Sequence, residues 1–248
     1  MSTTPKPLLV QKFGGTSLAD LKGFDASAKV IAQYVAEYRV IVVLSAVKGV
    51  TDLLLAAIAP AVDGGDGAVH LEEAIARERA VVDALAEQGV ETPLASGFLE
   101  EQYQTLSRRV QGIQLLEQCP EETRARILAT GEGFSSRLMG DVLGNRGLRA
   151  QWSDTDVLPR ANESWLDSLI DNDAAAPLLK KRLDTDSQVI VLPGFYGRNA
   201  RGEVQLLGRN GTDYSAAAID TAVEGGDGVV HLEEAIARER AVVDALAE

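Results

Sequence analysis

Leu8-Leu9-Val10-Gln11-Lys12-Phe13-Gly14-Gly15-Thr16-Ser17 is the stretch that decides the fold class. An apolar run from Leu8 closes on the Gly14-Gly15 pair, the pattern of a buried strand that ends in a tight turn. A helix is expected next, over about 18–37. Beyond it, Val40-Ile41-Val42-Val43-Leu44 is a β-branched run without alternation, as expected of a strand covered on both faces in a parallel sheet. Strand, helix and strand in this order make the fold class α/β with a mainly parallel sheet.

From about 51 to 146 the pattern is mostly helical. Leu71, Ile75, Val82 and Leu85 share one face, and Glu73 precedes Arg77 by one helical turn. A second long helix is expected over 121–146, ended by Gly147. Leu148 to Trp152 reads as a short strand. A further helix is expected over about 164–183, with Pro177 arguing for a break inside it. Val189-Ile190-Val191-Leu192 repeats the buried-strand signature and ends at Pro193-Gly194-Phe195, and Val204 to Leu207 forms one arm of a hairpin around Asn199-Ala200-Arg201-Gly202.

Residues 217–248 repeat residues 56–87 with differences only at Ala59/Asp220, Pro60/Thr221, Asp63/Glu224 and Ala68/Val229. Solenoid repeats recur at shorter periods, in several copies, with drift between them, so this is not a repeat architecture. The domain organisation is therefore read as 1–216 plus a helical copy, 217–248, that forms no domain of its own. Truncation after Ala216 is expected to leave stability nearly unchanged where the copy has no dedicated partner, and to reduce self-association where it displaces the first copy. Because Leu232, Ile236, Val243 and Leu246 reproduce the apolar face of the first copy, self-association into a homo-oligomer is a further expectation.

With 46% hydrophobic and 25% charged residues, the chain of 248 residues falls in the globular range. Lys and Arg number 24 against 37 Asp and Glu, a formal net charge of −13, which argues against nucleic acid or an anionic membrane as the main partner. Any anionic ligand must then be held by local groups. The lone Cys119 forms no intrachain disulfide, and no Cys/His cluster has metal-ligand spacing, so a reducing cytoplasm is expected and a structural metal is not. The start, Met1 to Pro7, lacks an apolar run of signal-peptide length, and no stretch reaches about 18 uninterrupted apolar residues.

Four motifs carry candidate chemistry. In Lys12-Phe13-Gly14-Gly15-Thr16-Ser17 the glycines let backbone N–H groups approach an anion and Lys12 reaches a phosphate as a point charge; an ordinary turn with an exposed lysine is the competing reading. Leu44-Ser45-Ala46-Val47-Lys48-Gly49-Val50-Thr51 sets hydroxyls at the carboxyl end of a strand, where open α/β sheets bind ligands, although Thr51 would also serve as a helix cap. Thr130-Gly131-Glu132 places a glycine inside a helix at a cost of about 1 kcal/mol relative to alanine, which points to close approach of another group. Glu132 by itself also reads as a solvated carboxylate. The fourth, Leu207-Gly208-Arg209-Asn210-Gly211-Thr212-Asp213-Tyr214-Ser215-Ala216, joins a strand to a helix start; Arg209 forks onto a carboxylate, and Asp213 suits either chemistry or the helix dipole.

Together these motifs, from about 8 to 216, resemble the aspartokinase family. Leu115-Leu116-Glu117-Gln118-Cys119-Pro120 adds a likeness to the fused aspartokinase–homoserine dehydrogenases. The resemblance implies the three-layer αβα sandwich of the amino-acid kinases, incomplete at its C-terminal side. It also implies transfer of the γ-phosphoryl group of ATP, with Mg2+, to the β-carboxylate of L-aspartate, the first step toward lysine, threonine and methionine. On the matching motifs, Lys12 and Asp213 are the catalytic residues, Gly14 and Gly15 bind phosphate, and Ser45, Thr51, Glu132 and Arg209 bind the substrate. The sequence departs from the family after Ala216: a Thr-Asp-Val-x-Gly-Val-Tyr-Thr-x-Asp-Pro-Arg segment, which forms much of the nucleotide site, is replaced by the copied stretch. The alternative that follows is a catalytically inactive, aspartate-binding chain or a recombined gene product.

Overall fold

A computed structural model describes residues 6–208 and 211–224. Arg209, Asn210 and the copied stretch from 225 on lie outside the described residues, so the expectations placed on them are not addressed by the fold.

Strands β1 (Leu8–Phe13), β2 (Arg39–Leu44), β3 (Ala150–Trp152) and β4 (Val189–Pro193) form one sheet in the order β1-β2-β4-β3. Every pairing in it is parallel. The absence of alternation in β2 and β4 has the expected cause, burial on both faces. Val40, Val42, Val189 and Val191 belong to one apolar cluster, and Ile41, Val43, Ile190 and Leu192 to another on the opposite side.

The first face is covered by α1 (Leu21–Tyr34), α2 (Val50–Val62) and α6 (Thr130–Asn145), whose Phe24, Ile31, Leu54, Phe134 and Leu138 enter that cluster. Helices α3 (Ala68–Ala86), α4 (Pro93–Leu116) and α5 (Glu121–Leu128) extend this layer against α2 and α6. The second face is covered by α7 (Asn172–Leu183) and α8 (Gly211–Glu224) through Ala175, Leu179, Ala216, Ala218 and Ile219. The result is the three-layer αβα sandwich expected from the family resemblance.

Several boundaries differ from the sequence reading, each for a local reason. The first expected helix opens with a 3-10 turn, Gly15–Leu18, and α1 starts only after Asp20, whose side chain accepts from the Gly23 N–H at 3.0 Å. The helix expected over 121–146 is two, α5 and α6, meeting at Ala129. The helix expected over 164–183 begins at 172, because the preceding residues bond elsewhere. The Ser168 N–H donates to the Leu206 carbonyl and the Leu206 N–H to the Trp165 carbonyl, while Asp171 caps α7 by accepting from Ala174 N–H. Pro177 sits inside α7 without ending it. The expected hairpin is present as β5 (Tyr196–Arg198) and β6 (Val204–Leu206), paired antiparallel.

The internal copy is placed in two settings. Its first version supplies the end of α2 and all of α3, with Leu71, Ile75 and Leu85 buried and Val82 partly so. The second begins within α8, which crosses position 216 without a break and buries Ala218 and Ile219 against the sheet. Truncation after Ala216 is therefore expected to be damaging, contrary to the sequence reading. Ile219 is fully buried, and losing that side chain alone costs about 2–5 kcal/mol. A urea midpoint unchanged in the 1–216 protein would show that α8 contributes nothing after Ala216.

Candidate functional site

The carboxyl ends of β1, β2 and β4 face the start of α8 and the first turn of α6, and between them lies a cavity of about 520 Å3. Every described member of the candidate set lines it: Lys12, Gly14, Gly15, Ser45, Thr51, Glu132 and Asp213. Adjacent strand ends hold the frame, since the Ser45 N–H donates to the Phe13 carbonyl at 3.0 Å and the Gly194 N–H to the Leu44 carbonyl at 3.1 Å.

Glu132 forms the base of the site and is 4% exposed. The N–H groups of Gly194, at 2.8 Å, and Phe195 both donate to its Oε2, and the Thr212 hydroxyl donates to Oε1 at 3.0 Å. The Ser45 hydroxyl donates to Thr212 Oγ1 at 3.1 Å, which extends the chain of hydrogen bonds to the end of β2. The solvated reading of this residue is overturned: it is a clamped, buried carboxyl.

Close backbone approach makes the clamp. A side chain on Gly131 would meet the Ala46 Cβ at 2.9 Å and Val50 Cγ1 at 3.1 Å, the contact that the glycine in a helix interior foretold. A Cβ on Gly194 would meet Thr212 Cγ2 at 2.4 Å and Val43 Cγ1 at 2.6 Å, so only glycine lets its N–H reach Glu132 there.

Burial raises the Glu132 pKa from 4.5 to about 8, against the opposing pull of the Phe195, Thr212 and Gly194 hydrogen bonds and of Lys12. Around neutral pH the ligand-free site thus holds a proton that a cationic ligand could displace.

At the mouth of the cavity, Lys12 Nζ lies 3.2 Å from Asp213 Oδ1, with the lysine side chain 15% and the aspartate 41% exposed. A pair this open contributes about 0–1 kcal/mol at most, so its value is in placing a cation and a carboxylate together. Asp213 stands in the first turn of α8, which satisfies the dipole reading as well. Thr51 does not cap α2; the position before that helix is Gly49, and Thr51 turns to the cavity instead.

Sequence reading missed four contributors. Thr212 bridges Ser45 and Glu132, and a hydroxyl beside Asp213 at a helix start was its available signal. Gly194 and Phe195 act through backbone N–H groups, which leave no side-chain signature. Lys48 lines the cavity as a second cation and stood in a quoted motif without a role.

Two measurements test this geometry. Gly194→Ala is expected to lower stability by about 1–3 kcal/mol, because the added methyl displaces Thr212 or Val43, and an unfolding midpoint equal to the parent's would contradict it. The proton on Glu132 also makes ligand-free stability pH-dependent. Its contribution is fully present below pH 4.5, where the unfolded chain is protonated too, and is lost as pH rises to about 8. Denaturation across that window is expected to show a decline that Glu132→Gln flattens.

Comparison with known proteins gives this geometry its context. The model of the amino acid kinase family matches residues 7–227. Bifunctional aspartokinase/homoserine dehydrogenase 2 of Escherichia coli is 30% identical over 85% of this chain and 25% of its own length. Lysine-sensitive aspartokinase 3 of the same organism is 29% identical over 87% of this chain and 46% of its own. The crystal structure of E. coli aspartokinase III in complex with aspartate and ADP aligns with a TM-score of 0.76 at 28% identity, covering 88% of this chain and 47% of that one. The chain thus spans between a quarter and a half of the length of these relatives. With the family model covering most of its residues and the parallel sandwich in place, the chain belongs to the amino acid kinase family and is similar, within it, to the aspartokinases.

Proposed function

We propose that this chain supplies the acceptor half of an aspartate kinase site, binding L-aspartate and presenting its β-carboxylate for phosphoryl transfer from ATP. The observation that carries the reading is Glu132, a buried carboxyl of raised pKa at the base of a cavity edged by Lys12 and Asp213. An α-amino acid fits that site. Its ammonium group meets Glu132, Ser45 and Thr51 complete the pocket, and Arg209, assigned by motif alone, pairs with the α-carboxylate.

Phosphoryl transfer demands positioning and charge neutralisation more than covalent chemistry. Lys12 neutralises charge on the transferring group, and the Gly14 and Gly15 backbone cradles phosphate oxygens. Among the described residues no group of three or more His, Cys, Asp or Glu side chains could hold a metal ion. A carboxylate at the cavity mouth still suits Mg2+, which commonly takes one or two carboxylates together with substrate phosphates and water; Asp213 is the carboxylate that would hold it. When bound, Mg2+ spreads the negative charge of the phosphates. The pathway implied is lysine, threonine and methionine biosynthesis, in a cytoplasmic setting. Among the described residues no helix is long and apolar enough to cross a membrane.

A second reading, aspartate binding without turnover, is favoured by one observation: residues 217–248 reproduce 56–87, in the place where the family resemblance implies a nucleotide-site segment. A hydroxylamine-trapping assay separates the two. Aspartyl hydroxamate forming at about 1–1000 per second supports complete catalysis, and binding without hydroxamate supports the second reading.

Calorimetry tests the pocket that both readings share. Because the substrate ammonium favours ionised Glu132, aspartate binding near pH 7 is expected to release a proton, seen as heats that depend on the buffer's ionisation enthalpy. Glu132→Gln should remove that dependence and Arg209→Ala should abolish the isotherm. Heats independent of buffer would place the ammonium elsewhere.

A further inference from the structure

A second cavity, of about 200 Å3, is bounded by α4, the junction of α5 and α6, and the β5–β6 hairpin. Phe195 lines the first cavity and Tyr196, the first residue of β5, the second, so adjacent residues serve different sites. Four arginines converge on the second cavity, Arg109, Arg126, Arg137 and Arg198, against one acidic residue, Asp154. In a chain of net charge −13 such a concentration of positive charge is a local construction.

The four are not equivalent. Arg126 is taken up by Glu122, with N···O distances of 3.0 and 2.7 Å, and Arg198 by Asp154, at 3.1 and 2.6 Å. Neither Arg109 nor Arg137 has a carboxylate within ion-pair distance among the described residues. Arg137 is nonetheless fixed in place. Its Cζ lies 4.0 Å from the Phe98 ring centroid and 3.7 Å from that of Trp152, and its Nη1 donates to the Gly133 carbonyl at 2.7 Å. Trp152 is itself anchored by donating from Nε1 to the Ser136 hydroxyl at 3.0 Å. With two aromatic rings against the guanidinium and Nη1 bonded to Gly133, the remaining N–H groups are left to meet a ligand.

Burial pulls the pKa of both arginines below its ordinary value, and for Arg109 the neighbouring charge of Arg126 adds to the effect. Glu122 acts on Arg109, and Asp154 and Glu101 on Arg137, only through space; partly desolvated cations with no carboxylate in direct contact are costly to hold, and an anion between them would offset that cost. Guanidinium forks match carboxylate and phosphate oxygens, and the cavity is smaller than the roughly 300–1,000 Å3 typical of drug-sized ligands.

We propose that this cavity is a binding site for a small dianion, a phosphate or a dicarboxylate, gripped by Arg109 and Arg137 and flanked by Arg126 and Arg198. It uses no residue of the aspartate pocket.

Titration calorimetry of inorganic phosphate and of succinate at low ionic strength tests the proposal, using the full chain with Lys12→Gln and Lys48→Gln to weaken phosphate binding in the first cavity. Saturable binding is expected, weakened at least about tenfold by Arg109→Gln and by Arg137→Gln, the loss of one charge-assisted partner. Lys22→Gln, which removes an exposed lysine on α1, should leave it unchanged. Arg109 is a partly exposed helix residue without an ion pair, so its variant carries the test even if Arg137→Gln fails to fold. Binding of phosphate alone assigns a phosphoryl ligand, and of succinate alone a dicarboxylate. No saturable isotherm for either ion, or one that Arg109→Gln leaves intact or Lys22→Gln weakens equally, overturns the proposal.

Discussion

A single buried carboxyl joins the parts of this protein that matter for its chemistry. Glu132 belongs to α6, yet its oxygens are held by the backbone after β4 and by the first turn of α8. Three segments far apart in sequence are thereby locked to one point. Burying a carboxyl is costly unless its oxygens are hydrogen-bonded, so displacement of any one of the three would leave the group unsatisfied. The glycines at 131 and 194 exist in this frame because side chains there would hold the segments apart.

The sheet supplies the other constraint. All its described strands run parallel, so their carboxyl ends gather at one edge, and the loops after β1, β2 and β4 converge there. Helices on both faces bury Val40 to Leu44 of β2 and all of β4, which leaves that edge as the place where polar groups from several segments can meet. The rigidity of the site therefore derives from the apolar layers beneath it.

The two cavities divide the polar residues by role. The first mixes a raised-pKa carboxyl, a Lys–Asp pair and hydroxyls, a set suited to a zwitterion and a phosphate together. The second is cationic and aromatic, with Arg137 against the rings of Phe98 and Trp152. Helix α6 contributes to both, Glu132 to one and Arg137 to the other, so any shift of that helix moves both sets of ligating atoms.

The sequence by itself determined the α/β class, since the unbroken β-branched runs at 40–44 and 189–192 admit only strands buried on both faces. It also marked the residues around the first cavity, because glycines and hydroxyls at strand ends have a local signature, and Gly131 announced a close contact without naming the partner. Tertiary structure decided what local pattern cannot hold. Residues 164–170, helical by pattern, are drawn into hydrogen bonds with the β6 strand; Ala217 to Glu224, read as an appended copy, continue α8 and bury Ile219. The Glu132 clamp relies on backbone N–H groups that every residue but proline possesses, and the arginine cavity assembles side chains at 109, 126, 137 and 198 from separate elements. Neither has a sequence period or spacing, because both arise from the distances that packing imposes between segments.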